Sequence, residues 1–88
     1  MSFRYALSPR AERYFARLDR PTQRRVADRL DELAADPFDP AISKRLQNRA
    51  GIRSARVGGL RILYQVQETD ELVRIEDIGP RGQVYRER

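Results

Sequence analysis

Residues 53–64 read Arg53-Ser54-Ala55-Arg56-Val57-Gly58-Gly59-Leu60-Arg61-Ile62-Leu63-Tyr64. Strand-forming residues flank a Gly-Gly pair, which predicts a tight β-hairpin with Gly58 and Gly59 as a two-residue loop. In that hairpin Arg56 lies directly opposite Arg61, and like charges placed across two strands repel each other. No acidic residue occurs between positions 40 and 67, so the pair requires an anion from outside the hairpin. Because Arg presents a planar fork that matches phosphate oxygens, we expect a phosphate.

The composition limits the classes of protein and of chemistry. The 88 residues carry a net charge of +5 and predict a single domain over positions 1–88. The absence of Cys and His removes thiolate chemistry, the commonest metal ligand and the usual general base, so we expect no metal and no cofactor. There is no signal-peptide pattern and no apolar run long enough to span a bilayer, which predicts a cytoplasmic protein without a membrane partner.

Net positive charge is concentrated in the middle of the chain. Positions 41–67 contain no acid, whereas positions 1–40 balance basic and acidic residues. A one-sided block of this kind is the electrostatic pattern expected of a nucleic-acid-binding surface. Its members are Lys44, Arg45, Arg49, Arg53, Arg56 and Arg61.

The rest of the chain predicts two helices and further strands. Residues 2–7 alternate as a first strand, Ser8-Pro9 starts a helix, and Asp19-Arg20-Pro21 ends it and starts a second helix that runs to Asp36-Pro37. Residues 37–51 are a connector, with a short helical turn around 42–47, and strands follow at 52–57, 60–67 and 71–78. The predicted fold is α+β with the order β-α-α-β-β-β, in which an N-terminal helical hairpin packs on one face of an antiparallel sheet.

Period-two alternation assigns the strand residues to two faces. The apolar face should pack on the helices and contains Ala55, Val57, Leu60, Ile62, Tyr64, Val66, Val73 and Ile75. The other face should be polar and open and contains Ser54, Arg56, Arg61, Leu63, Gln65, Arg74, Glu76 and Ile78. With Thr69-Asp70 as the second turn, Arg61 lies opposite Ile78 and the following Arg81 approaches the Arg56–Arg61 pair.

Three arginines therefore converge on the open face, and they are the candidate phosphate-binding and catalytic residues: Arg56, Arg61 and Arg81. Tyr85, four residues beyond Arg81, either packs at an edge, stacks on a base or holds its hydroxyl near a phosphate. Arg53 and Lys44 are further candidates for nucleic-acid binding. Any one of these basic side chains could instead be a solvated surface residue.

Several segments together resemble the RelE/ParE superfamily of toxins from bacterial type II toxin–antitoxin systems. The resemblance covers almost the whole chain and is RelE-like in its order and spacing. Its segments are Leu7-Ser8-Pro9-Arg10-Ala11, Leu33-Ala34-Ala35-Asp36-Pro37, Lys44-Arg45-Leu46, Arg56 to Tyr64, Ile78-Gly79-Pro80-Arg81 and Val84-Tyr85.

The resemblance implies a toxin that an acidic cognate antitoxin holds inactive. RelE-like members enter the ribosome and cut mRNA without a metal, using the RNA 2′-hydroxyl as the nucleophile, which implies a ribosome-dependent endoribonuclease that inhibits translation. Carried over by position, Arg56 and Arg61 match basic residues of the second and third strands. Arg81 matches the Arg after the fourth strand, and Tyr85 matches the C-terminal Tyr.

The chain departs from the RelE-like pattern at several positions. Ser54 replaces a frequent basic residue, Leu60 a frequent aromatic, and Pro80 a His or Lys. Arg keeps its proton to above about pH 12 and is a poor base, so the proton-transfer groups are not obvious. Two alternatives therefore stay open: a ParE-like inhibitor of DNA gyrase without ribonuclease activity, and a degenerate protein that only binds an antitoxin.

Overall fold

A computed structural model describes residues 2–80, which form two helices and five strands. The helices are α1 (Pro9–Ala16) and α2 (Arg20–Ala35). The strands are β1 (Arg4–Leu7), β2 (Ser43–Arg45), β3 (Arg53–Val57), β4 (Leu60–Gln67) and β5 (Leu72–Pro80). They form one sheet in the order β1-β5-β4-β3-β2. None of the described helices is long and apolar enough to cross a membrane.

Both helices begin where the sequence predicts, and Ser8 and Asp19 are their capping residues. The Ser8 hydroxyl accepts a hydrogen bond from Ala11 N at 3.0 Å and donates one to the Glu76 carbonyl at 2.8 Å. The Asp19 carboxylate accepts from the backbone N–H and the hydroxyl of Thr22, and these bonds lower the pKa of Asp19. Each cap satisfies a backbone donor that the first helical turn leaves without a partner.

The helical hairpin covers one face of the sheet, as predicted. Ala11 from α1 and Val26, Leu30 and Leu33 from α2 are fully or almost fully buried. They pack on sheet residues that lie on the same face, which confirms the period-two assignment of that face except at Ile78, which was predicted to lie on the open face. These sheet residues are Ala55, Val57, Ile62, Tyr64, Val73, Ile75 and Ile78.

The β3–β4 hairpin has the predicted loop and register. Val57 pairs with Leu60, and Arg56 pairs with Arg61. Gly58 has a φ of 57°, which glycine adopts without strain and which matches the first central position of a type II′ turn. The guanidinium of Arg25 lies over this loop, 2.6 Å from the place where a Cβ on residue 58 would sit.

The β4–β5 register differs from the prediction at its far end. It is as predicted from Tyr64, which pairs with Ile75, to Gln67, which pairs with Leu72. A bulge at Glu76 in β5, opposite the step from Leu63 to Tyr64, then shifts the pairing by one residue, so Arg61 lies opposite Gly79 and not opposite Ile78. A bulge adds a residue to one strand and so reverses the faces beyond it, which is why Ile78 lies in the main core.

Two further predictions about the sheet are corrected. Residues 43–45 form the short strand β2 and not part of a helical turn. The sheet is mixed, because β1 pairs with β5 in the parallel direction while the other pairs are antiparallel. Alternation along a strand shows which side chains share a face, but it carries no information about which neighbour the strand pairs with or in which direction.

The second face of the sheet is less open than predicted. Leu63 is 1% exposed and forms a small second core with Ile52 and the partly buried Leu46. The turn 46–52 crosses this part of the face and is closed by hydrogen bonds from Leu46 N to the Ile52 carbonyl and from Ile52 N to the Arg49 carbonyl. The connector therefore forms a wall beside the Arg56–Arg61 pair.

Candidate functional site

Arg56 and Arg61 lie side by side on the sheet face that is turned away from the helices. Arg56 is exposed, whereas Arg61 is only 6% exposed. The Arg61 guanidinium donates a hydrogen bond to the Ser54 hydroxyl at 3.4 Å. Arg61 is thus fixed in the floor of the site and Arg56 stands at its rim. A guanidinium that is already oriented and partly desolvated interacts more strongly with an anion than one that is free in water.

A cleft runs from this pair towards the edge of the sheet. It consists of two cavities of about 450 and 370 Å³, both lined by Lys44 and Arg61. The cations that line one or both cavities are Lys44, Arg45, Arg49, Arg56 and Arg61, and these five define the basic cleft. Among the described residues, no carboxylate lines either cavity. The basic cleft is therefore suited to a polyanion that brings several phosphates.

Strand β2 explains why Lys44 belongs to the basic cleft. Lys44 pairs with Ser54 across β2 and β3, which places both on the face of Arg56 and Arg61. The next residue, Arg45, pairs with Arg53 and therefore lies on the other face of the sheet. The sequence analysis counted Arg45 and Arg49 in the acid-free block but singled out only Lys44 from this segment as a candidate nucleic-acid-binding residue. The missing information was the strand and turn that orient Arg45 and Arg49.

Arg53 lies on the other face of the sheet. Its Nε donates a hydrogen bond to the Tyr64 hydroxyl at 3.3 Å, and its Nη2 donates to the Ser43 hydroxyl at 2.9 Å. Its guanidinium carbon also lies 5.4 Å from the centre of the Phe38 ring, at a distance typical of a cation–π contact. The structure therefore does not bring Arg53 together with Arg56 and Arg61.

The other two predicted site residues, Arg81 and Tyr85, lie outside the described residues. The described chain ends beside the site, because Gly79 pairs with Arg61 and Pro80 pairs with Leu60. The predicted roles of Arg81 and Tyr85 remain predictions.

The acidic residues nearest in sequence to this end of β5 have other contacts. The carboxylate of Asp77 lies 3.6 Å from the Arg10 guanidinium and accepts a hydrogen bond from Ile78 N at 3.0 Å. Glu76 is half-buried, and neither residue lines the cavities of the basic cleft. The described part of the site can hold phosphates and stabilise negative charge, but it contains no side chain that accepts a proton readily at neutral pH.

A family model described as the ParE toxin of a type II toxin–antitoxin system matches residues 5–85. No curated protein matches the sequence.

Several solved structures share the fold over most of their length. The RelE of an archaeal RelE–RelB complex from Pyrococcus horikoshii is 23% identical, with a TM-score of 0.79 over 94% of this chain and 99% of that chain. Isolated Escherichia coli RelE is 20% identical, with a TM-score of 0.79 over 96% of this chain and 92% of that chain. The YoeB of a Staphylococcus aureus YoeB dimer is 21% identical, with a TM-score of 0.69 over 88% of this chain and 94% of that chain.

Proposed function

The chain belongs to the RelE/ParE superfamily of toxins from type II toxin–antitoxin systems, and we propose that it is a ribosome-dependent mRNA endonuclease that inhibits translation. The observation that carries this proposal is the basic cleft, in which Lys44, Arg45, Arg49, Arg56 and Arg61 line two cavities that share Lys44 and Arg61, without a carboxylate among the described lining residues. A groove of this charge favours a phosphate backbone over a neutral or basic ligand.

The reaction that suits such a cleft uses a nucleophile from the RNA itself. The 2′-oxygen loses its proton and attacks the adjacent phosphorus, and the bond to the 5′-oxygen breaks as that oxygen takes up a proton. Negative charge grows on the phosphate oxygens during this step. The pairing of Arg56 with Arg61 and the burial of Arg61 support a role for both guanidinium groups in stabilising that charge. This reaction does not require a metal or a cofactor.

Proton transfer falls to residues or groups other than these two arginines. Arg stays protonated at neutral pH and is a poor base. In this proposal Arg81 adds phosphate binding, as the sequence predicts, and Tyr85, whose hydroxyl is one of the candidates near the phosphate, takes part in proton transfer. Groups of the ribosome and of the RNA would supply the other proton donors and acceptors that the reaction needs.

The partner that restrains this activity is an acidic antitoxin. The similar RelE proteins from Pyrococcus horikoshii and Escherichia coli were solved in complexes with RelB antitoxins. A chain with a net charge of +5 and an acid-free block at 41–67 attracts an acidic polypeptide by charge. Such a segment would be partly disordered until it binds.

The proposal is tested by mapping the 5′ ends of cellular RNA after brief induction of the toxin. We expect new ends inside translated codons, and we expect them to disappear in Arg61→Ala and in Arg81→Ala. Arg74→Ala is the matched control, because Arg74 is an exposed Arg on the same sheet face that does not line the basic cleft. Intact transcripts during growth arrest by the wild type would contradict the proposal. Equal cleavage by folded Arg61→Ala would remove Arg61 from the site.

The second candidate function is inhibition of DNA gyrase. Two observations favour it: the matching family model is that of ParE toxins, and the described part of the cleft supplies no proton acceptor. It predicts gyrase-linked DNA breaks and a DNA-damage response while mRNA stays intact. Measuring RNA ends and DNA breaks in the same induced culture separates the two functions.

A further inference from the structure

The loop between α2 and β2 presents an aromatic ring to solvent. Phe38 is 43% exposed, whereas the other two phenylalanines, Phe3 and Phe15, pack against the core. A buried Phe stabilises the fold through the hydrophobic effect, and an exposed Phe does not. The exposed position of Phe38 therefore makes its ring a candidate contact for a ligand or partner.

The loop holds this ring in a fixed position. The preceding Pro37 is buried, and its carbonyl accepts a hydrogen bond of 2.7 Å from the Tyr64 hydroxyl. Phe38 N donates to the Asp36 carboxylate at 3.1 Å. Arg53, which lies 5.4 Å from the ring centre, is itself held by Tyr64 and Ser43. A ring held in this way binds a planar ligand at a small entropic cost.

A cavity of about 280 Å³ opens beside the ring. It is lined by Phe38, Arg45, Gly51, Arg53, Val66 and Glu68. Phe38 and Val66 offer apolar surface, the two arginines offer hydrogen-bond donors, and Glu68 offers an acceptor. Pockets for drug-sized ligands begin at about 300 Å³, so this cavity suits a smaller planar group with polar edges. A nucleobase has these properties.

Arg45 links this cavity to the basic cleft. It lines both the 280 Å³ cavity and the 450 Å³ cavity of the cleft. It lies on β2, an edge strand of the described sheet, next to Lys44, whose side chain belongs to the other face. A single strand whose phosphates lie in the basic cleft can therefore pass around this edge and bring a base to Phe38.

We propose that the cavity beside Phe38 is a nucleobase subsite, in which a base of the bound RNA strand stacks on the Phe38 ring. Arg45 and Arg53 contact that nucleotide from the flanks, and the Glu68 carboxylate accepts a hydrogen bond from an amino group on the base edge. Single-stranded nucleic acids are commonly bound by such a combination of a basic groove and an aromatic ring. The inference rests on the proposed RNA binding and names a second point of contact for it.

The test uses the full-length chain and a fluorescent single-stranded RNA with 2′-O-methyl groups, which lacks the nucleophilic hydroxyl and stays intact. Fluorescence anisotropy at low salt gives its dissociation constant. We expect Phe38→Ala to weaken binding about tenfold, a loss typical of one stacked base. Phe38→Leu, which keeps apolar volume but has no ring, should also weaken it, and Phe38→Trp should preserve it. Tyr5→Ala is the matched control, because Tyr5 is 37% exposed on β1 at the other edge of the sheet.

A second series replaces one nucleotide of the RNA at a time by an abasic one. One position should weaken wild-type binding by a similar factor, and at that position Phe38→Ala should have no further effect. Unchanged affinity in folded Phe38→Ala and Phe38→Leu would overturn the subsite while RNA binding stands. No binding by the wild type at low salt would overturn RNA binding and the subsite together. Loss of affinity for an acidic antitoxin peptide, with RNA affinity unchanged, would assign the cavity to a protein partner and overturn the proposal.

Discussion

At the scale of single residues, burial distinguishes the two arginines of the hairpin. Arg61 is 6% exposed and bonded to Ser54, whereas Arg56 is exposed. Hydrogen bonds to charged groups contribute about 1.5–3 kcal/mol, while exposed ion pairs contribute about 0–1 kcal/mol. We therefore expect Arg61→Ala to weaken binding of the 2′-O-methyl RNA roughly 10–100-fold and Arg56→Ala about fivefold at most. Anisotropy titrations measure both.

Controls make this comparison interpretable. Arg61→Lys keeps the charge but not the planar fork, so its affinity for the RNA should lie between those of the wild type and Arg61→Ala. Thermal unfolding of each variant checks that the fold is retained. Equal losses for Arg56→Ala and Arg61→Ala would show that the burial of Arg61 gives it no advantage.

Tyr64 has a structural role that a conservative substitution can measure. Its side chain is fully buried, and its hydroxyl donates to the Pro37 carbonyl and accepts from Arg53 Nε. Removing one partner of buried hydrogen bonds costs about 1–3 kcal/mol, so Tyr64→Phe should lower the free energy of unfolding by that amount in urea titrations. Tyr5→Phe, at an exposed tyrosine, should change it by less than about 0.5 kcal/mol. Similar effects at the two positions would contradict this role.

At the scale of elements, the β3–β4 hairpin depends on only one of its two glycines. Gly58 has a φ of 57°, and a Cβ there would meet Arg25, whereas Gly59 has open space around it. A left-handed conformation costs a residue with a side chain about 1–2 kcal/mol. We expect Gly58→Ala to destabilise the fold by at least that amount and Gly59→Ala to be close to neutral, as measured by chemical denaturation.

The double variant Gly58→Ala with Arg25→Ala separates two causes at this loop. If backbone strain dominates, removing the Arg25 side chain restores little of the lost stability. If contact with Arg25 dominates, the double variant is close to Arg25→Ala alone. Equal destabilisation by Gly58→Ala and Gly59→Ala would contradict the loop geometry.

The start of α2 adds a pH-dependent contribution to stability. Hydrogen bonds from Thr22 lower the pKa of the Asp19 carboxyl in the folded state below its unfolded value. The stabilisation is thus fully present above the unfolded pKa of about 3.9 and is lost as the pH falls through the lower folded value. Asn at position 19 can still cap the helix but does not titrate. We therefore expect the free energy of unfolding of Asp19→Asn to fall less steeply than that of the wild type as the pH drops below about 4. Denaturation at a series of pH values measures this, and parallel curves of unfolding free energy against pH for the two proteins would contradict it.

Sequence patterns predicted the elements whose causes are local. The helix starts at Ser8-Pro9 and at Asp19-Arg20-Pro21 and the Gly58-Gly59 loop each depend on residues a few positions apart, and all three are confirmed. The bulge in β5, the strand β2 and the parallel pairing of β1 depend on contacts between distant segments. The Arg56–Arg61 pair could therefore be derived from the sequence, whereas the burial of Arg61 and the orientation of Arg45 and Arg49 towards the cleft could not.

At the scale of the whole molecule, the fold gathers the acid-free block onto one region. Residues 41–67 form β2, the turn 46–52, β3 and β4, which are consecutive in the sheet. The five cations of the basic cleft are all drawn from this block. The charge of the molecule is therefore polarised, and a polyanion approaching it is drawn towards the cleft before any specific contact forms.

This polarity predicts how the proposed RNA binding depends on salt. Each phosphate contact of a single strand contributes about −0.7 to the slope of log affinity against log salt concentration, so five contacts give a limit of about −3.5. Arg56→Ala should reduce the magnitude of the slope by about 0.7. Phe38→Ala should weaken binding at every salt concentration without changing the slope, because a stacked base releases no counterion. Arg74→Ala should leave the slope unchanged, because Arg74 lies outside the cleft. A slope that falls equally in Arg56→Ala and Arg74→Ala would mean that the RNA responds to net charge, and the basic cleft would lose its role as the binding site.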